Sequence, residues 1–460
     1  MKISFKNTYS GQIEEFLPVK QGEVGMYTCG PTVYNYAHIG NFRTYIFEDL
    51  LRRFLISAGF SVTQVMNITD IEDKIIRDSV AQGKSLQEFT EFYTRGFFED
   101  MKFLNIESAE HYPRATAHVR EMIEMIEILK SKGFTYEKDG STYFRISDFK
   151  DYGKLSKIDL AGVKTGLRYD TDEYEKDDVR DFVLWKAWKE GEPFWDSPFG
   201  KGRPGWHIEC SAMSKKYLGE TFDIHSGGVD NIFPHHENEI AQSEAASGRK
   251  FVRYWLHSEH LIVDNKKMSK SLGNFYTLRD LTDKGFQPLG VRYLLLSAHY
   301  RSKLNFTLEG LENAEKTVKR IGEFKQRLMD FHPVEGTSSL DFTRFREGFQ
   351  NAMADDLNIS LALSHFHEFM RTLNDAMNCS SLSNDSRNAA LTELQLFDNV
   401  LGILKTDKFS IPENILELAS KRWQAKTTRN FPEADRLRSE ILSLGYRVDD
   451  SKEGYKVLPI

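Results

Sequence analysis

Cys29 to Asn41, CGPTVYNYAHIGN, is the stretch on which the remaining chain turns. It follows an apolar run, Val24-Gly25-Met26-Tyr27, that predicts a buried strand. After it, Phe42, Ile46, Leu50 and Phe54 recur at helical spacing up to Ser57, and Gly59 is placed to end the helix. Strand, Gly/Pro turn and helix start together leave backbone N–H groups that can hold an anion. Inside the turn stand a thiol, Cys29, and an imidazole, His38. Alone, the stretch fits an ordinary strand-to-helix connection, with a buried Cys and a surface His, equally well.

Composition sets the bounds. The 460 residues predict about three domains, and 40% apolar with 28% charged residues is ordinary for a globular protein. The N-terminus, MKISFKNTYSGQIEEF, has no apolar core of the signal-peptide kind, and no apolar run approaches a membrane span. Three scattered cysteines, Cys29, Cys210 and Cys379, suit a reducing cytoplasm better than a disulfide framework. A net charge of −7 argues against a globally basic nucleic-acid binder but leaves room for local basic surfaces.

Ser61 to Ile68, SVTQVMNI, follows the first helix and is predicted to be the second parallel strand of an α/β unit. It runs into Thr69-Asp70 at the carboxyl end of the strand, where α/β folds place ligands, so Thr69 is a candidate substrate contact. From about Leu86 to Lys132 the pattern is helical, with an apolar stripe at Val119, Ile123, Ile126 and Leu129. Residues 134–200 change to short strands around an acidic run and are expected to be an insertion between two halves of a sheet.

Gly200 to Glu244 is the most informative block. Gly205-Trp206-His207-Ile208-Glu209-Cys210 puts Trp206 just before a thiol, and TFDIHSGGVD gives a strand, a Gly pair and Asp230. FPHHENEIAQSEAA then opens a predicted helix with Pro234 in its first position. His235 and Glu239 lie four apart, so both project from one face. With Cys29 and Cys210 they make two sulfurs, a nitrogen and a carboxylate, a set suited to tetrahedral zinc. A metalloprotease motif fails because Ile240 stands where H-E-x-x-H requires its second His. Farther on, DNKKMSKSLGN carries Lys266, Lys267 and Lys270 within five positions, a cationic loop suited to polyphosphate.

HIGN at 38–41 resembles the HIGH signature of class I aminoacyl-tRNA synthetases, and 267–271 matches their KMSKS loop. Cys29, GWHIEC, GGVD and FPHHENE together are similar to the cysteinyl-tRNA synthetase family, and the likeness runs over the whole chain. One departure is Asn41 in place of the final His: an amide donates to a phosphate oxygen but carries no positive charge.

The resemblance implies an α/β fold: a Rossmann-like parallel-sheet catalytic domain with an insertion, then an α-helical bundle and a small C-terminal tail domain. The expected boundaries are 1–133 and 201–275 for the two catalytic halves, 134–200 for the insertion, and 276–310 for a connection below the site. The bundle would take 311–405 and the basic tail 406–460. It implies ATP lying between the HIGN turn and the KMSKS loop, with His38, Gly40, Asn41 and Lys270 at its phosphates and Lys267 assisting. Gly228 and Asp230 would meet the ribose, and Trp206 would wall the amino-acid pocket. Zinc held by Cys29, Cys210, His235 and Glu239 would recognise the substrate sulfur. Magnesium is expected on the phosphates. The implied partners are L-cysteine, ATP and tRNA(Cys), acted on by a cytoplasmic monomer.

From Leu311 to about Leu404 the apolar periodicity is helical, with Met353, Leu357 and Leu361 as expected core positions. Lys421 to Ile460 holds nine Lys/Arg against six Asp/Glu, with Trp423 and Phe431 among the cations, a composition suited to splayed-out RNA bases. Two other readings remain open: a cysteine ligase acting on an amino sugar, and a non-catalytic RNA-binding paralogue.

Overall fold

The computed structural model describes residues 1–158, 181–269, 272–333, 340–404, 413–428, 430–444, 446–450 and 454–459. Its centre is a parallel sheet. Ser61–Met66 pairs with Glu23–Thr28, which pairs with Phe222–Gly228, which pairs with Val252–Ser258. Val24, Met26, Tyr27, Val65, Met66 and Ile224 are buried, as expected of strands covered on both faces.

The helix Ile39–Ser57 begins three residues earlier than the apolar spacing predicts. His38 caps it: its Nδ1 accepts from Asn41 N–H at 3.1 Å, and Asn41 Oδ1 accepts from His38 N–H at 3.1 Å. This reciprocal cap satisfies two donors that a helix start otherwise leaves open. The turn before it needs Gly30, because a Cβ there would lie 1.8 Å from the Asn67 carbonyl oxygen. The helix is buried almost all round, and its Asp49 sits between Arg53 at 2.7 Å and Arg292 at 2.6 Å.

Leu86 to Lys132 is two helices, Leu86–Phe103 and Val119–Ser131, rather than one. Between them the chain runs beside the edge of the sheet. Met66 N–H donates to the His111 carbonyl at 3.0 Å and Ile68 N–H to that of Pro113 at 2.8 Å, which satisfies backbone groups that a continuous helix would leave exposed on the edge strand.

In the insertion, Thr135–Lys138, Ser141–Phe144, Phe182–Ala187 and Gly202–Pro204 form an antiparallel sheet in that order, with the Phe144 and Phe182 rings stacked at 5.0 Å. In a separate small sheet, Leu261–Val263 runs parallel to Leu304–Phe306 and leads into Lys266–Lys267, which folds back antiparallel on it. Helices Leu308–Asp330, Thr343–Ala354, Ile359–Asn378 and Asn384–Leu401 follow, packed through Phe345, Phe349, Phe366, Phe369 and Phe397. Met353 and Leu357 are core, but Leu361 is 46% exposed: it falls in the first turn of its helix, on the face away from Ala362 and Phe366.

Two compact units result, Met1–Leu404 and Lys405–Ile460. The second contains helices Glu413–Thr427 and Phe431–Ser443 and an antiparallel pair, Tyr446–Asp450 with Tyr455–Pro459. Its small core is Ile415, Ala419, Ile441, Val448 and Val457, fastened by a two-pronged Arg422–Asp450 pair at 2.6 and 2.8 Å. Among the described residues, no helix is long and apolar enough to cross a membrane.

Candidate metal centre and nucleotide pocket

Four of the predicted residues meet in one place. Ligand atoms of Cys29, Cys210, His235 and Glu239 all lie within 4.8 Å of one another, and all four residues are buried. Three local structures supply them: Cys29 comes from the turn after Glu23–Thr28, Cys210 from the helix Trp206–Leu218, and His235 and Glu239 from one helical run. Glu239 stands in the first turn of the helix Glu237–Ser247. His235 lies in the turn Ile232–His236, which runs straight into that helix; Phe233 is extended, so Pro234 opens the helical run as the sequence predicts. The pair spaced at four still converges, His235 Nε2 lying 3.1 Å from Glu239 Oε1.

Burial holds the groups of this cluster in their neutral forms. Burial pushes the Glu239 carboxyl up to about 8, against the opposing pull of His235, and lowers His235 to about 3. The Cys210 thiol is raised by its hydrogen bond with Cys29 and then by burial. At Cys29 the bond from Cys210 works downward, but burial and Glu239 carry the thiol upward. Glu239 Oε1 is buried and, despite the nearby His235 ring, accepts no well-aligned hydrogen bond from the described residues. Desolvated groups of this kind stay neutral unless a positive ion joins them. The residues fit a divalent metal, and two thiolates select a soft or borderline one.

Sequence reasoning missed the histidines around the cluster. His225 Nε2 lies 2.9 Å from Glu239 Oε2, and His207 Nδ1 lies 2.9 Å from His235 Nδ1. Cys29, His225, His236 and Glu239 form a second set with metal-ligand spacing. It shares Cys29 and Glu239 with the first, so one ion would use one set, and the set with two sulfurs is the better match for zinc. The only signal in the sequence was their recurrence in the quoted blocks GWHIEC, DIHSGG and FPHHENE.

Above Cys29 opens a cavity of about 520 Å³. His38, Gly40 and Asn41 line one side, Gly228 and Asp230 another, and Lys267 and Met268 a third. A Cβ at Gly40 would stand 3.1 Å from Met268 Cε, so Met268 rests on the first turn of the capped helix. Since His38 Nδ1 is an acceptor, the neutral ring carries its proton on Nε2. The turn Ser258–Ile262 and Lys303, unremarked in the sequence, complete the wall. Cys29 lines the cavity and belongs to the cluster, so the two sites share one residue.

The other candidates lie as follows. Trp206 is 40% exposed and stacks on His235 with ring centres 4.2 Å apart. Thr69 is buried; its hydroxyl donates to Glu209 Oε2 at 3.0 Å and is not part of the cavity wall. Lys270 falls outside the described residues.

A parallel sheet split by an insertion, with a capped helix start facing a lysine-bearing loop, is the architecture of a class I aminoacyl-tRNA synthetase. The family model described as tRNA synthetases class I (C) catalytic domain matches residues 15–316, and the DALR domain matches residues 348–405. A cysteine--tRNA ligase of Protochlamydia amoebophila is 50% identical over 465 residues, covering 98% of this chain and 96% of that protein. One of Solibacter usitatus is 50% identical over 463 residues, with 99% of each covered. The chain belongs to the cysteine--tRNA ligase family. The fold extends to more distant proteins. Methionyl-tRNA synthetase of Mycobacterium tuberculosis in complex with methionyl-adenylate has a TM-score of 0.59 at 15% identity, covering 84% of this chain and 90% of that one.

Proposed function

We propose that the chain performs its family's reaction with the metal cluster selecting the amino acid and the cavity above it activating the carboxylate. The activity is ATP-dependent ligation of L-cysteine to tRNA(Cys). The cysteine carboxylate attacks the α-phosphorus of ATP, giving cysteinyl-adenylate and releasing pyrophosphate. The 2′-hydroxyl of the terminal adenosine of the tRNA then attacks the adenylate carbonyl and releases AMP.

Within this reading, His38 donates from Nε2 to the phosphates and Asn41 from its amide nitrogen, its oxygen being engaged in the cap. Gly40 lets the helix start approach the phosphates closely, and Asp230 beside Gly228 accepts from the ribose hydroxyls. Lys267, and Lys270 from the same loop, neutralise charge that grows on the departing pyrophosphate. Magnesium would accompany ATP. Cys29, Cys210, His235 and Glu239 would hold zinc. Zinc bound there supplies a site that takes up a thiol as thiolate far more readily than an alcohol, so serine is rejected without editing. Trp206, stacked on His235, walls the amino-acid side.

The observation that carries this division is Cys29, which belongs to both sites. Cysteine-dependent ATP–pyrophosphate exchange without tRNA tests it, and serine should support none above background. Exchange that serine drives as well as cysteine would end the assignment. Neither alternative from the sequence gains support: the family match covers both the catalytic part and the helical DALR part.

A further inference from the structure

Thr8 stands between the hairpin strands Ser4–Asn7 and Gln12–Glu15, remote in sequence from every residue assigned so far. Its Oγ1 lies 2.7 Å from His257 Nδ1. His257 Nε2 lies 2.8 Å from His236 Nδ1, and His236 Nε2 lies 3.2 Å from Cys29 Sγ. Three contacts therefore join a half-buried hydroxyl on the N-terminal hairpin to a sulfur of the metal cluster. His236 is fully buried and His257 is 4% exposed. A neutral imidazole carries one N–H and one acceptor nitrogen, so a row of two such rings passes its hydrogen bonds in one direction.

Such a row has two self-consistent directions. In one, a thiol donates inward and every imidazole passes a hydrogen bond toward Thr8. In the other, Thr8 donates to His257 Nδ1, His257 Nε2–H donates to His236 Nδ1, and His236 Nε2–H donates to sulfur. A metal-ligating sulfur is a thiolate and only accepts, which leaves the second direction. We propose that Thr8 is a positioning residue for the metal centre: through His257 it locks the His236 tautomer that donates a hydrogen bond to the Cys29 thiolate. This rests on the zinc reading above. Two of the other ligands are held at one remove, His235 by His207 and Glu239 by His225, whereas Cys29 is held through two rings from the hairpin. Asn231 also bonds the Cys29 sulfur, so the effect of losing Thr8 belongs at the low end for outer partners of metal ligands.

The test uses the full-length, zinc-loaded protein with Thr8→Val, Thr8→Ser and His257→Phe. Thr8→Val should weaken zinc about tenfold in a chelator competition. In the cobalt-substituted form its sulfur-to-cobalt band should move to longer wavelength, because a sulfur that loses an N–H donor gives up electrons more easily. Thr8→Ser, which keeps the hydroxyl, should restore both. His257→Phe keeps a ring but no donor and should move the band at least as far, which covers a Thr8→Val protein that does not fold. Nitrogen-15 shifts of His236 should report the proton on Nε2 in the wild type. Unchanged zinc affinity and cobalt spectrum in Thr8→Val or His257→Phe, or failure of Thr8→Ser to restore them, would overturn the relay while wild-type zinc content left the metal reading standing. A wild type without zinc would overturn both.

Discussion

The metal cluster and the nucleotide cavity meet at Cys29 yet are built on opposite plans. The cluster is dry: its four donors are buried, and rings stack around it. The cavity is open: Asp230 and Lys267 are exposed, and the helix start is already capped by His38 and Asn41. On the reading proposed above one cation completes the dry site, so its residues should stand or fall together. The wet site is complete in itself and receives a ligand that brings its own charge and counter-ion. Changes in the first should abolish selection; changes in the second should lower the rate and leave selection intact.

Cys210→Ser is expected to have the largest effect. Zinc content should fall below about a tenth of an equivalent, and pyrophosphate exchange by about 10³-fold or more, with folding largely retained. Zinc bound at the wild-type level would break the contrast between the sites.

Lys267→Ala should lower kcat for exchange by about 10²-fold, the usual size for one electrostatic donor. Zinc content and the cysteine-over-serine ratio should not move. A loss of selectivity along with the rate would mean that the sites are not separable.

Truncation after Leu404 removes the second unit, with Trp423 and exposed Phe431, and leaves both sites intact. Exchange should stay within about twofold of wild type, while the KM for tRNA rises about tenfold with a shallower dependence on salt. A cooperative melt of the truncated protein is the control, and unchanged charging would remove the tail from RNA binding.

The smallest effect concerns Asp100, buried on the helix Leu86–Phe103. Burial pushes its carboxyl up to about 7, partly opposed by Arg279, which lies on the helix after the lysine loop. Between about pH 4 and 7 the folded protein keeps a proton there that the unfolded chain releases, so stability falls as pH rises through that window. Asp100→Asn should flatten the fall, by about 1–3 kcal/mol across the window, in melting curves at several pH values. An unaltered slope would show that Asp100 titrates normally.

What the sequence disclosed follows the same division. Cys29, Cys210, His235 and Glu239 were legible because donor type and a spacing of four survive without knowledge of the fold. The parallel strands were legible because both faces are apolar. The helix start was placed late because a His-x-x-Asn cap is outside the usual Ser/Thr-x-x-Glu pattern, and apolar spacing begins only at Phe42. Periodicity predicts helix around His111 because pairing with a sheet edge depends on a neighbour that periodicity does not report. His225 and His257 were invisible as partners because adjacent strands bring them beside the cluster from far apart in sequence.

The central claim is that the buried cluster recognises cysteine by its sulfur. X-ray absorption at the zinc edge of the purified protein, recorded with and without cysteine, tests it most directly. The account predicts two sulfur ligands in the resting protein, from Cys29 and Cys210, and three once cysteine is added, with serine leaving the count at two. A spectrum that stays at two sulfurs under saturating cysteine would contradict it.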